Sequence, residues 1–233
     1  MSKKVKTVGL LGGIGPEATG YYYLKLIDYI KDNFFISNNT DFPHIFVNSI
    51  PGKELTSKVI YPSDLHDYIV GIKELDTCGV TDGIVVLCNT ANLYIDALSE
   101  ATKNKIYNSK EIVLEYLITN DIINVSVLGT HSTVRSGLYA YKGINNIELD
   151  SNDLRKLEKT ILKYNTTSKG KYINDGFVDK LIDKQMKKGA DLVILGCTEI
   201  VMMSTKNTRT LDPILLTIER LGEIIYKNNK GIK

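Results

Sequence analysis

The 233-residue chain has no hydrophobic run of membrane-spanning length; the apolar stretch that starts at Gly83 ends after Leu87, at Cys88. Its opening residues, Met1 to Lys6, are polar and lack the apolar segment of a secretory signal, so the expected location is cytoplasmic, with no membrane partner. An excess of charge of one sign is also missing. Lys and Arg number 29 against 27 Asp and Glu, a net charge of +2, which argues against nucleic acid as a partner. The densest cationic stretch, Lys227 to Lys233, reads as a solvated tail. Cysteine is scarce: three residues, an odd number without metal-type pairing, argue against a disulfide framework and leave reduced thiols for chemistry. With neither an HExxH helix nor a paired Cys-x-x-Cys, no metal site is expected.

What the chain does contain is an ordinary globular composition, 43% hydrophobic and 24% charged, enough for one large core or two small ones. Runs rich in Val, Ile and Leu alternate with amphipathic stretches, the pattern of an α/β fold with buried parallel strands. Strands are expected near Val5 to Leu11, Ile45 to Ser49, Gly83 to Leu87, Val125 to Leu128, Ile144 to Leu149 and Leu192 to Leu195. Helices should run from Pro16, a good first helical residue, to about Tyr29, and near Ser63 to Thr77, Leu93 to Thr102, Glu111 to Asn120, Ser132 to Tyr139, Asn152 to Tyr164, Asp175 to Lys188 and Pro213 to Tyr226. A long-range echo relates the halves. Each supplies one glycine-ended strand (Val8 to Gly12; Val127 to Gly129) and one cysteine-ended strand (Val85 to Cys88; Val193 to Cys197), as two similar α/β lobes would, with a ligand held where strand ends meet.

Cys88 and Cys197 each end an apolar strand and open into a helical pattern, through Asn89-Thr90 and Thr198-Glu199 respectively. Strand ends at a crevice are where such folds place reactive groups, and the free N–H groups of a helix start favour a thiolate. Two such groups on opposite faces of an acidic carbon can invert it: a thiolate removes the proton and the opposing thiol returns one from the far side. The negative charge that develops on the neighbouring carboxylate needs donors, which Asn89, Thr90, Thr130 and Thr198 are placed to supply. Cys78, before Gly79, lacks the strand-end context and reads as a small buried side chain.

Four motifs carry a family resemblance: Gly12-Gly13-Ile14-Gly15-Pro16-Glu17, Cys88-Asn89-Thr90-Ala91, Leu128-Gly129-Thr130-His131-Ser132-Thr133 and Leu195-Gly196-Cys197-Thr198-Glu199-Ile200. They resemble the aspartate/glutamate racemase superfamily, in the expected order from residue 7 to about 203, with aspartate racemase the most similar branch. The resemblance implies two pseudo-symmetric lobes, residues 1–103 with 210–233 and residues 104–209, with the last helix returning to the first lobe and the site in the cleft. It further implies a homodimer, no pyridoxal phosphate or other cofactor, and an amino-acid substrate, aspartate before glutamate. Cys88 and Cys197 become the proton-transfer pair, and Gly13, Ile14, Gly15, Lys53, Asn89, Thr90, Thr130, Thr198 and Glu199 the substrate-binding residues. Three departures stand out. Lys53 replaces an arginine held to grip the side-chain carboxylate, and lysine cannot make that planar two-point contact. Asn92 replaces a histidine. A lysine expected near Gly170 has only Ser168, Lys169 or Lys163 as local counterparts.

Other readings compete. Gly13-x-Gly15-x-x-Ala18 is a loose dinucleotide fingerprint, but no ribose-binding acid ends the second strand, which closes on Asn48-Ser49. His131, after Thr130, offers a Cys-His hydrolase. A sister reaction of the superfamily, decarboxylation or maleate isomerisation, or a binding protein that has lost turnover, would keep the same scaffold.

Overall fold

The computed structural model describes residues 6–55, 60–167, 175–205 and 208–226. Two parallel sheets form the frame. The first has the order β2-β1-β3, from β1 (Thr7–Gly12), β2 (His44–Ser49) and β3 (Ile84–Val86). The second has the order β5-β4-β6-β7, from β4 (Asn124–Gly129), β5 (Asn145–Asn146), β6 (Leu192–Gly196) and β7 (Thr210–Leu211). Helices α1 (Pro16–Asn33), α2 (His66–Thr77), α3 (Ile95–Ser99), α4 (Ser109–Thr119), α5 (His131–Arg135), α6 (Ser151–Thr166), α7 (Phe177–Lys187), α8 (Thr198–Met203) and α9 (Pro213–Tyr226) cover the faces.

Burial explains the unbroken apolar runs. Successive side chains of a strand point to opposite faces, and here both faces are covered. In β1 and β3, Val8, Leu10 and Val85 pack with α1 and α9, whereas Leu11, Ile84 and Val86 pack with α2 and α3. In the second sheet Leu128, Val193 and Leu195 face α6 and α7, and Val125, Val127 and Ile194 face α4. The same alternation carries Cys88 to the α2 side and Cys197 to the α6 side.

Several boundaries differ from expectation. The first lobe extends beyond 103, because Ile106 bridges to Ile84 and Tyr107 N–H donates to the Ile84 carbonyl. Residue 210 falls inside β7, which pairs with β6 in the second sheet; only after Asp212 does the chain return, as α9 packs on α1 and α4. Strand β7 was not anticipated, since two residues carry no periodicity. The β5 strand is two residues rather than six, an edge strand held only at Asn124–Asn145 and Val125–Asn146. The stretch expected as one helix from Leu93 is a 3-10 turn over Thr90–Tyr94 followed by short α3, and α5 stops at Arg135 ahead of Gly137, whose φ is 69°. Cys78 is exposed, not buried, at the C-terminus of α2.

Candidate active site

The carboxyl ends of β1, β3, β4 and β6 converge on one cavity between the sheets. It is lined by Ile14, Cys88, Asn89, Thr90, Thr130, Cys197, Thr198 and Glu199, together with Glu54, Leu55, Ile161 and Asn165, and measures about 30 Å³. That volume is room for roughly one or two waters, so an amino acid is admitted only when lining segments part. Asn165 Nδ2 donates to Glu54 Oε1 at 3.4 Å across its outer edge, a long bond that separates readily.

Eight of the eleven sequence-derived site residues therefore line this one cavity. Gly13 and Gly15 shape it from behind. A Cβ at Gly13 would sit 2.0 Å from the Ile50 carbonyl, and one at Gly15 would sit 2.5 Å from Glu199 Oε1, both with positive φ, so glycine lets the loop lie against Ile50 and Glu199. The carboxylate beside Gly15 stands where a dinucleotide's phosphates would approach, which speaks against the nucleotide reading of this loop. Lys53 lies elsewhere. Its ammonium group is bound to Asp64 Oδ1 at 2.5 Å and it does not line the cavity; the pairing holds the Asp64 carboxyl below its ordinary range. His131 and Lys163 do not line it either, and Ser168 and Lys169 fall outside the described residues.

The two cysteines have different surroundings. Cys88 Sγ receives the backbone N–H groups of Thr90 and Ala91 at the start of the 3-10 turn. Cys197 Sγ donates to Glu199 Oε2 at 2.8 Å, while the Thr198 hydroxyl donates to the same oxygen at 3.0 Å. Both thiols are nearly closed off, at 8% and 6% exposure. The expectation that strand-end surroundings lower the thiol pKa is reversed here: burial pushes Cys88 up to about 12, against the pull of the two N–H groups. Cys197 is pushed well above the ordinary thiol range, by burial first and by the Glu199 carboxylate next. Among the described residues no lysine or arginine lines the cavity, and desolvation of a charged sulfur outweighs two N–H dipoles.

The cavity floor joins the lobes. Thr90 Oγ1 lies 3.2 Å from Thr130 Oγ1 and 3.0 Å from Thr133 Oγ1, and Thr130 caps α5 by accepting the Thr133 N–H. Asn92 donates to the Cys88 carbonyl at 2.8 Å and accepts the Ser109 N–H, so it braces the turn that carries Cys88. Tyr139, outside every motif, donates its hydroxyl to Asn89 Oδ1 at 2.5 Å. This fixes the amide so that Asn89 Nδ2, buried and without a hydrogen-bond partner, is left as a donor in the lining. Sequence reasoning missed Tyr139, Glu54, Leu55, Ile161 and Asn165; tertiary packing alone brings them here.

Comparison with known proteins bears on the fold and the family. A broad-specificity amino-acid racemase of Bacillus subtilis is 30% identical over 133 residues; the match spans 57% of this chain and only 58% of that protein. An aspartate racemase homologue of Pyrococcus horikoshii superposes with a TM-score of 0.73 at 24% identity, covering 95% of this chain and 99% of that one. The aspartate racemase of Picrophilus torridus gives 0.73 at 24% identity over 98% and 96%. These structures share the two-sheet α/β fold described above. A family model described as Asp/Glu/hydantoin racemase matches residues 11–220, and the chain accordingly belongs to the Asp/Glu/hydantoin racemase family.

Proposed function

We propose that the protein is a cofactor-independent racemase of a free amino acid, in which Cys88 and Cys197 exchange the Cα proton from opposite faces. The observation that carries this reading is a single cavity walled by two buried thiols from the corresponding ends of two sheets. The substrate's carboxylate is received by the orphaned Asn89 Nδ2 and by the Thr198 side, where charge develops as the Cα–H bond breaks. Its ammonium group brings a cation to the cavity. Next to a desolvated sulfur a positive charge favours the thiolate, so the substrate itself activates its base.

The proton balance closes over one turnover. A thiolate takes the Cα proton and becomes a thiol; the electron pair left on Cα spreads into the carboxylate; the opposing thiol gives its proton to the other face and becomes the thiolate. The two protonation states are exchanged, and the same site runs the reverse reaction. A Cys-His hydrolase would need His131 at the cavity, which it does not line.

Proton NMR in deuterated water, with no cofactor added and with a panel of L-amino acids led by aspartate and glutamate, tests this reading. Loss of the α-proton signal together with the opposite enantiomer on chiral chromatography is the expected result. Retention of the α-proton throughout the panel would overturn it.

A further inference from the structure

Successive residues of a strand turn their backbone groups to opposite sides. In and just beyond β3, Leu87 donates inward to the Leu11 carbonyl of β1, whereas Ile84 faces outward, donating to the Lys105 carbonyl and accepting from the Tyr107 N–H. Val86 and Cys88, in step with Ile84, direct their carbonyls to the same outer side, beyond the bridge that joins Ile84 to Ile106. One side chain takes the place of a strand there. Asn92 Nδ2 donates to the Cys88 carbonyl at 2.8 Å and to the Val86 carbonyl at 3.4 Å. Its Oδ1 accepts, at 3.3 Å, the N–H of Ser109, the first residue of α4.

This arrangement admits one orientation of the amide. Turned over, its oxygen would oppose two carbonyl oxygens and its N–H groups would oppose the Ser109 N–H. Asn92 and Ser109 are both buried, so each of those groups would be left unpaired. The Ser109 N–H is one of the donors that a helix start leaves without an intrahelical partner, and here it fixes the amide that grips Cys88. The segment from Cys88 to Asn92 is closed on itself by the Asn92 N–H, which donates to the Asn89 carbonyl at 3.0 Å. It also aims the N–H groups of Thr90 and Ala91 at the Cys88 sulfur. Neither Asn92 nor Ser109 lines the reaction cavity, so both act through Cys88.

We propose that Asn92 is a positioning residue for the proton transfer: oriented by the Ser109 N–H, it holds the turn that presents the Cys88 sulfur to the α-carbon with two N–H groups upon it. The effect on rate rests on the racemase reading above, whereas the effect on the sulfur does not. The proposal also accounts for the departure from histidine at this position. A neutral imidazole has one ring N–H that donates and one ring nitrogen that accepts, the two functions Asn92 exercises toward Cys88 and Ser109.

The test uses the intact protein and two readouts: α-deuterium exchange with the amino-acid panel, and alkylation of Cys88 and Cys197 by iodoacetamide, followed by mass spectrometry across pH. Asn92→Leu, similar in size but without donor or acceptor, is expected to lower kcat/KM roughly tenfold to a hundredfold through misplacement of the sulfur. Alkylation of Cys88 should then begin at higher pH, because the N–H groups that favour its thiolate lose their aim, while Cys197 keeps its profile. Asn92→His, with the same two functions, is expected to stay within about threefold of the wild-type rate. Ser109→Pro removes the orienting N–H at a helix position suited to proline, after an Asn108 backbone (φ −84°, ψ 108°) close to that which precedes proline. It should shift Cys88 alone, and by more than Ser109→Ala, which keeps the N–H. If Asn92→Leu and Ser109→Pro leave the Cys88 profile unchanged, or move both cysteines alike, the positioning role is overturned and the racemase stands. No exchange by the wild-type protein with any amino acid would remove the racemase reading, and the alkylation profiles would still decide the role of Asn92.

Discussion

Cys88 and Cys197 end corresponding strands of two similar sheets, yet their sulfurs have different company. The first is met by two backbone N–H groups, donors that stabilise negative charge. The second receives one backbone N–H, that of Glu199, and also donates to the same residue's buried carboxylate, an acceptor that stabilises the thiol. Near-symmetry of the frame thus coexists with asymmetry of charge, and the asymmetry is set by one residue: Glu199, two positions after Cys197 in the second lobe, where the first lobe has Thr90 two positions after Cys88. The two sides of the proposed proton exchange are therefore unequal. With Cys197 biased toward thiol, the proposal makes Cys88 the side on which the thiolate first forms when a cation enters.

The comparison breaks most completely if either sulfur is removed. Cys88→Ser and Cys197→Ser should each reduce racemisation by about 10³-fold or more, since a hydroxyl is too weak an acid to replace a thiol. Chiral assay of the product measures this, and one variant retaining near wild-type rate would leave a one-sided mechanism. The next largest effect should come from Glu199→Gln, which removes the charge but leaves an acceptor: a rate loss of roughly tenfold to a hundredfold. It should also make Cys197 more like Cys88. Alkylation of Cys197 by iodoacetamide, followed by mass spectrometry across pH, should begin at lower pH in the variant, because a carboxylate that raises the thiol pKa has gone. An unchanged alkylation profile would mean that burial alone governs Cys197.

A pH profile sharpens the same contrast. Cys88 is pushed up to about 12 by burial, so below that value its thiolate fraction grows tenfold with each pH unit. With folded-state pKa values raised, kcat/KM for the wild-type protein is expected to climb between pH 7 and 9 without a plateau. A plateau already at pH 7 would show that the free protein holds a stable thiolate.

Much of this organisation was legible in the sequence, and for identifiable reasons. The Val- and Ile-rich runs announced β1, β3, β4 and β6 because strands covered on both faces must be apolar throughout. The cysteines stood out because strand-end position and helix start coincide at both. The charge state of those cysteines was not legible, since it depends on how completely the opposing lobe excludes water. Tyr139 was equally hidden: nothing in Gly137-Leu138-Tyr139 marks it, and it reaches Asn89 only because β4 and β3 belong to facing sheets. Asn165, in the last turn of α6, and Glu54, in the loop after β2, meet across the cavity for the same reason.

Smaller effects follow from the residues that orient others. Tyr139→Phe removes the hydroxyl that fixes the Asn89 amide, a buried hydrogen bond whose loss costs about 1–3 kcal/mol. The amide can then turn its oxygen toward the substrate carboxylate, so KM is expected to rise several-fold with a smaller change in kcat. Equal falls in kcat and in thermal stability with no change in KM would assign Tyr139 to packing alone.

The smallest expected effect is at Lys53, and it bears on whether the two lobes contribute equally to substrate selection. By resemblance this position grips a side-chain carboxylate, and on that reading Lys53→Arg should raise the preference for aspartate and glutamate, because guanidinium adds a second, planar contact. The structure places the Lys53 ammonium on Asp64 with most of its side chain in solvent, outside the cavity. Arginine can keep that ion pair, and a pair whose cation is mostly in solvent is worth only about 0–1 kcal/mol. Relative rates of α-deuterium exchange with glutamate and a neutral amino acid should therefore shift by less than about fivefold in Lys53→Arg, a ceiling set by the same small energy. A larger gain for glutamate would bring Lys53 into contact with substrate and give the first lobe a direct part in side-chain recognition.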